Sequence, residues 1–137
     1  MEGFSLADSL PFEEWALAQR EHLRLVVVDA LHRVAAFHET AGDHGQAGAA
    51  ARRALALEPW DEEAHRQVMR SLALGGQRSQ ALAQYETCRR LLRQELGVEP
   101  AAETAALAES IRSETLQPAG LALSFDLTAT PEPPAPG

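Results

Sequence analysis

Lysine and asparagine are absent from this 137-residue chain, and all twelve of its basic residues are arginine. Cysteine occurs once, at Cys88. No disulfide can therefore close within the chain, and a four-cysteine zinc site is excluded. Aromatic residues make up only 5% of the sequence, too few for the core of a β-sandwich. No apolar run approaches the roughly 20 residues needed to span a bilayer, and the N-terminus lacks a basic-then-apolar leader. The chain reads as a soluble, cytoplasmic protein with no membrane association. Basic charge is also scarce, with a formal net charge of -8. Phosphate neutralisation needs a concentrated basic face. Here Arg52-Arg53 and Arg89-Arg90 lie among glutamates, with no interleaved aromatics.

What is plentiful is alanine, at 26 positions, and leucine, at 19, within a 45% hydrophobic composition. Both residues favour helix. The chain divides into an entry segment, 1–11, a helical body, 12–116, and a proline-rich tail or linker, 117–137. Residues from Phe12 to about Ala41 contain neither glycine nor proline, and Pro11 suits a first helical turn. Leu23, Val27, Ala30, Leu31, Val34, Phe37 and Ala41 follow the spacing of a buried helix stripe. Gly42 ends this helix and Asp43 caps the next, which runs to about Leu57. Pro59 stops it, and Asp61 caps a third helix through about Leu74. After Gly75-Gly76, a fourth helix over about Ser79 to Leu96 carries an apolar stripe at Ala81, Tyr85, Cys88 and Leu92. Gly97 and Pro100 end it, and a fifth helix spans about Ala102 to Ser113.

An offset of 34 residues superposes Gly42 on Gly76, Gln46 on Gln80, Ala47 on Ala81, and Ala54 on Cys88. That is the period of the tetratricopeptide repeat, although Leu31 and His65 stand where that repeat prefers tryptophan. The expected fold is all-α, with tetratricopeptide-like antiparallel helix hairpins stacked as a short right-handed α-solenoid. Two repeats do not suffice alone. Phe12, Trp15 and Leu17 are expected to pack at one end, and Leu107 and Ile111 at the other. The alternation of Leu121, Leu123, Phe125 and Leu127 predicts a strand-like tail segment seated on a neighbouring copy or on the body.

Candidate chemistry is sparse. The five histidines, His22, His32, His38, His44 and His65, show no zinc spacing and read as surface or groove residues. Glu13-Glu14 and Asp61-Glu62-Glu63 fall at helix starts, where carboxylates suit the helix dipole. Cys88 sits on an apolar stripe as a small core residue, and no phosphate-binding glycine loop is present. The expectation is no enzyme, no cofactor and no metal.

Two segments carry a more specific signal, Ala54-Leu55-Ala56-Leu57-Glu58-Pro59-Trp60-Asp61-Glu62-Glu63-Ala64-His65 and Leu91-Leu92-Arg93-Gln94-Glu95-Leu96-Gly97-Val98-Glu99-Pro100. With Glu103-Thr104 and Leu107 downstream, they strongly resemble the bacterial transcriptional activator domain. In the Streptomyces antibiotic regulatory protein family that domain follows a winged-helix DNA-binding domain. Gly3-Phe4-Ser5-Leu6 and Phe12-Glu13-Glu14-Trp15 look like the junction after it. The resemblance implies a regulatory, protein-interaction module of a transcription regulator, partnered by protein, as a homodimer or with a transcription partner. DNA would be read only through a winged helix absent from this chain. By repeat position, Asp29, His32, Ala36, Glu63, Arg66 and Arg70 would line a partner-binding groove, the two arginines suiting a carboxylate. A solvated face with helix-stabilising pairs such as Glu62-Arg66 is the simpler reading of the same residues. A structural dimerisation or spacer domain and a small-ligand sensor are the alternative functions.

Overall fold

The computed structural model describes residues 6–114, which form five α-helices: α1 (Leu6–Thr40), α2 (His44–Leu57), α3 (Glu62–Leu74), α4 (Arg78–Leu96) and α5 (Ala102–Arg112). Among the described residues there is no strand. Each helix packs on the next in chain order, and α3 also touches α1 and α5. The architecture is a stack of antiparallel helical hairpins, α1/α2 and α3/α4, closed by α5.

Local chemistry sets the breaks. Gly42 and Gly76 adopt φ of +82° and +85°, a conformation that residues with a Cβ rarely take. The residue after each reaches back to close the helix end: Asp43 N donates to His38 O at 2.9 Å, and Gln77 N to Leu72 O at 2.8 Å. Asp43 accepts from Gln46 N at 3.1 Å and Asp61 from Ala64 N at 3.3 Å, so both caps stand where the sequence places them. The 34-residue correspondence also holds in burial, since Ala47, Ala54, Ala81 and Cys88 are all fully buried.

Small residues set the spacing of the layers. The buried residues of α2 are Ala47, Gly48, Ala50, Ala51 and Ala54. A Cβ at Gly48 would lie 2.5 Å from Ser71 Oγ, and that hydroxyl donates to His44 O at 2.6 Å, pinning α3 to the start of α2. Larger side chains then fill the centre, chiefly Val68 and Met69 of α3 and Ile111 of α5. Burial of each contributes about 1.5–3 kcal/mol.

The Glu-Leu-Gly-Val-Glu-Pro run builds the turn into α5. Gly97 ends α4 with φ of +66°. Glu99 folds back to accept from Arg93 Nη2 at 2.9 Å and from Arg89 Nε at 3.5 Å. The hydrogen bond from Arg93 is the main cause that holds the Glu99 carboxyl below its usual range. The N-cap of α5, Ala101, has no side chain to cap with, and Glu62 of α3 takes over that role. Its Oε2 accepts from Ala101 N and from Thr104 Oγ1, both at 2.6 Å, while Arg66 Nη1 donates to the same hydroxyl at 2.8 Å. Thr104 is completely buried by this arrangement.

Three expectations are corrected. Helix α1 begins at Leu6 and contains Pro11 in its second turn, where the missing N–H costs one hydrogen bond close to a helix end. Helix α1 buries Val28 and Ala35 with Leu31 half-buried beside them; of the expected stripe Leu31 packs on the core, whereas Leu23, Val27, Ala30, Val34, Phe37 and Ala41 are exposed. Phe12, Trp15 and Leu17 are exposed as well rather than packed at the end of the stack. At the opposite end Ile111 is buried and Leu107 packs against the core as expected. The tail segment 121–127 lies outside the described residues.

Candidate protein-interaction face

The residues expected to line a groove fall on α1 and α3, and α3 packs against both α1 and α5. His32 Nε2 donates to Asp61 Oδ2 at 2.5 Å, and its Nδ1 lies 3.9 Å from Glu63 Oε1. Asp61 therefore caps α3 with one carboxylate oxygen and binds α1 with the other. Arg70 Nε donates to Glu39 Oε2 at 2.8 Å, and Arg66 reaches Thr104 and stands 3.7 Å from Glu103. Asp29 is exposed and pairs with Arg33 on its own helix at 2.5 Å. Ala36 is exposed, and its carbonyl accepts from Thr40 Oγ1. Of the six residues, His32 and Glu63 are brought together. Both arginines are occupied by acceptors the sequence reading passed over, Glu39, Glu103 and Thr104. Glu39 sits one heptad after His32 on the same face of α1, and that spacing was the available signal.

His65 is corrected from a groove residue to a core residue, with 1% of its surface exposed. It fills the position where the repeat pattern has tryptophan. Its Nε2 donates to Pro59 O at 2.7 Å, and its Nδ1 accepts from Gln84 Nε2 at 2.8 Å. Only the neutral ring with its proton on Nε2 makes both bonds in this orientation. Burial is the main cause that pushes its pKa below the ordinary 6.5. A histidine whose folded-state pKa is lowered binds a proton more readily when unfolded, so folding stability falls as pH drops below about 6.5. Urea titrations of wild type and His65→Gln between pH 7.5 and 5.5 check this. The wild type should lose up to about 1.4 kcal/mol more per pH unit than the variant; parallel slopes would contradict the assignment.

Among the described residues, no group of three or more His, Cys, Asp or Glu side chains could hold a metal ion. Burial pushes the Cys88 thiol up to about 12, which leaves it without nucleophilic thiolate near neutral pH.

The largest uncovered apolar residues gather on α1. Phe12 is 65% exposed, Trp15 59% and Phe37 68%, and Leu23, Val26, Val27 and Val34 are exposed with them. Arg24 Nη1 donates to Leu57 O at 3.1 Å, which places the C-terminal end of α2 beside the middle of α1. The part of α1 before Arg24 therefore overhangs the hairpin. An open groove of about 460 Å³ lies at this point, lined by Leu17, Leu23, Val27 and Leu57 with Arg20 and Arg24. Helix α1 carries two apolar faces, one through Val28, Leu31 and Ala35 and one through Leu23, Val27, Val34 and Phe37. Here α2 and α3 cover only one side of it.

Antiparallel helical hairpins stacked in chain order are a helical-repeat architecture. The profile of the bacterial transcriptional activator domain matches residues 2–112, and the chain belongs to that family. No curated protein and no solved structure matched the chain. Among the described residues, no helix is long and apolar enough to cross a membrane.

Proposed function

We propose that the chain is a non-catalytic regulatory module of a bacterial transcription regulator of the Streptomyces antibiotic regulatory type. It acts in the cytoplasm through protein–protein contact on a tetratricopeptide-like scaffold. The uncovered apolar face of α1 is the observation that carries this reading. Contiguous apolar patches beyond a few hundred Å² mark interaction sites on soluble proteins, and three exposed aromatics with four exposed aliphatics on one helix meet that description. The acidic balance of -8 supports protein rather than DNA as the direct partner. DNA recognition then belongs to a separate winged-helix domain of the regulator. On this reading the paired arginines Arg66 and Arg70 hold helices α1, α3 and α5 in register, while α1 meets the partner.

The test is a transcription reporter driven by the complete regulator carrying Val26→Glu and Val34→Glu. Both positions are half exposed, so the fold tolerates the change. Reporter output should fall at least tenfold at equal protein level and unchanged helical content. Wild-type output from the variant would overturn the proposal.

A further inference from the structure

The side of α1 that packs on α2 does not stop where α2 stops. Its inward stripe, Ala35, Leu31 and Val28, continues toward the N-terminus at the same spacing of three and four residues, through Arg24 and Glu21 to Leu17. Helix α2 ends at Leu57, beside Arg24. Beyond that point Leu17, Leu23 and Leu57 are 59%, 59% and 39% exposed around the groove of about 460 Å³. The groove therefore prolongs the line of α2 past its last residue, as a trough with aliphatic walls.

We propose, building on the interaction role of α1, that the chain's own tail fills this trough and so masks part of the partner-binding face. Phe125 and Leu127 seat against Leu17, Leu23 and Leu57. The tail then covers Leu23 and Val27, and a partner reaches them only by displacing it.

Three features select this occupant. The first is reach. Glu114 lies near the C-terminal end of α3, in a pocket with Ala73 and Gly76, and pairs with Arg78 at 3.0 Å. Leu57 lies at the opposite end, just before α3 begins. The tail must run back along the 13 residues of α3, about 20 Å, and cross from α5 to α1, about two helix spacings of 8–10 Å. That diagonal is about 30 Å. Residues 115–124 span about 33 Å when extended, so Phe125 and Leu127 arrive, whereas Leu121, after about 20 Å, falls short.

The second feature is pattern. Leu121, Leu123, Phe125 and Leu127 stand at every second position, so an extended segment presents them on one side. Pro118 and Gly120 before them and Pro131 after them disfavour a helix. The third is charge. Arg24 is matched by Glu21 and Glu58, whereas Arg20, which also lines the groove, has no ion pair among the described residues. Residues 115–137 carry Asp126 and Glu132 and no basic residue. With Phe125 and Leu127 turned inward, the alternation directs Asp126 to the open side, within reach of the long Arg20 side chain.

Disulfide trapping in the full 137-residue chain tests the seat. With Leu57→Cys and Leu127→Cys together, which leaves Phe125 in place, mild oxidation should close a disulfide within one chain. Tethering gives the tail an effective concentration of about millimolar, so the rate should not change on roughly tenfold dilution. Cys88 is buried and leaves the background silent. Leu57→Cys with Ala135→Cys should close at least tenfold more slowly. Arg20→Glu should slow the Leu127→Cys closure at least threefold, and Asp126→Arg added to it should restore the rate. Equal closure at Ala135→Cys, or cross-links formed only between chains, would overturn the seat.

Masking is read in the complete regulator, where Phe125→Ser with Leu127→Ser should raise reporter output at least threefold at equal protein level. Unchanged output, in a regulator that Val26→Glu and Val34→Glu do silence, would overturn masking. If those two glutamates leave output at the wild-type level, the interaction role of α1 falls instead, and the trapping rates alone decide for or against the tail.

Discussion

Gly48→Val should destabilise the domain by about 2–3 kcal/mol, read as a fall in the urea midpoint with the slope unchanged. Valine is a slightly better helix former than glycine, by a few tenths of a kcal/mol, so propensity alone would make the change mildly favourable. Packing decides otherwise. The added Cβ would sit 2.5 Å from Ser71 Oγ and 3.2 Å from Ser71 Cβ. The hydroxyl can give way only by breaking its 2.6 Å bond to His44 O, and the Cβ can move only with α3. Ser71→Gly in the same chain should recover at least half of the loss, because the obstruction is then gone. A Gly48→Val protein as stable as wild type would mean that α2 and α3 do not cross where described.

Met69→Ala is expected to cost about 2–5 kcal/mol, the range for emptying a large buried aliphatic site. Met69 is completely buried on α3, the helix that packs against each of the other four. The neighbours cannot close the void without moving two hairpins at once, which places the expected loss in the upper half of that range. Native domains are stable by only 5–15 kcal/mol in total, so thermal unfolding should show a drop of about 10 °C or more. A shift of one or two degrees would mean that the core is centred elsewhere. Met69→Leu keeps the volume and should cost less than about 1.5 kcal/mol.

The four later helices were legible in the sequence almost to the residue, because their ends are fixed by local chemistry. Asp43 and Asp61 cap with their own carboxylates, and Gly42, Gly76 and Gly97 take the backbone turn that ends a helix. Helix α1 was legible as a helix but not in its orientation. With apolar residues on two separate faces, periodicity cannot say which of them is buried. The choice falls to the partner, and α2 offers alanine and glycine. A small residue, Ala35, therefore faces it, while Phe37 and Val34 turn outward. The same limit applies to the groove. Composition shows that Arg66 and Arg70 are charged, but only the stacking of α1 and α5 on α3 reveals that Glu39 and Thr104 already engage them. His65 escaped for a related reason. Its acceptor, Pro59 O, precedes α3, and its donor, Gln84, is on α4.

The alanine seam of α2 carries a consequence for how the molecule can change. Thin side chains there let α1 and α3 come close enough to touch. The contacts between His32 and Asp61 and between Arg70 and Glu39 thus work as a caliper, closing only when the slender rod between them keeps its width. Any thickening of that rod, even by a few methyl groups, would part both polar links together. The lever arm formed by the front of α1 would then swing relative to everything behind it, turning a minor change in girth into a large displacement at the free tip.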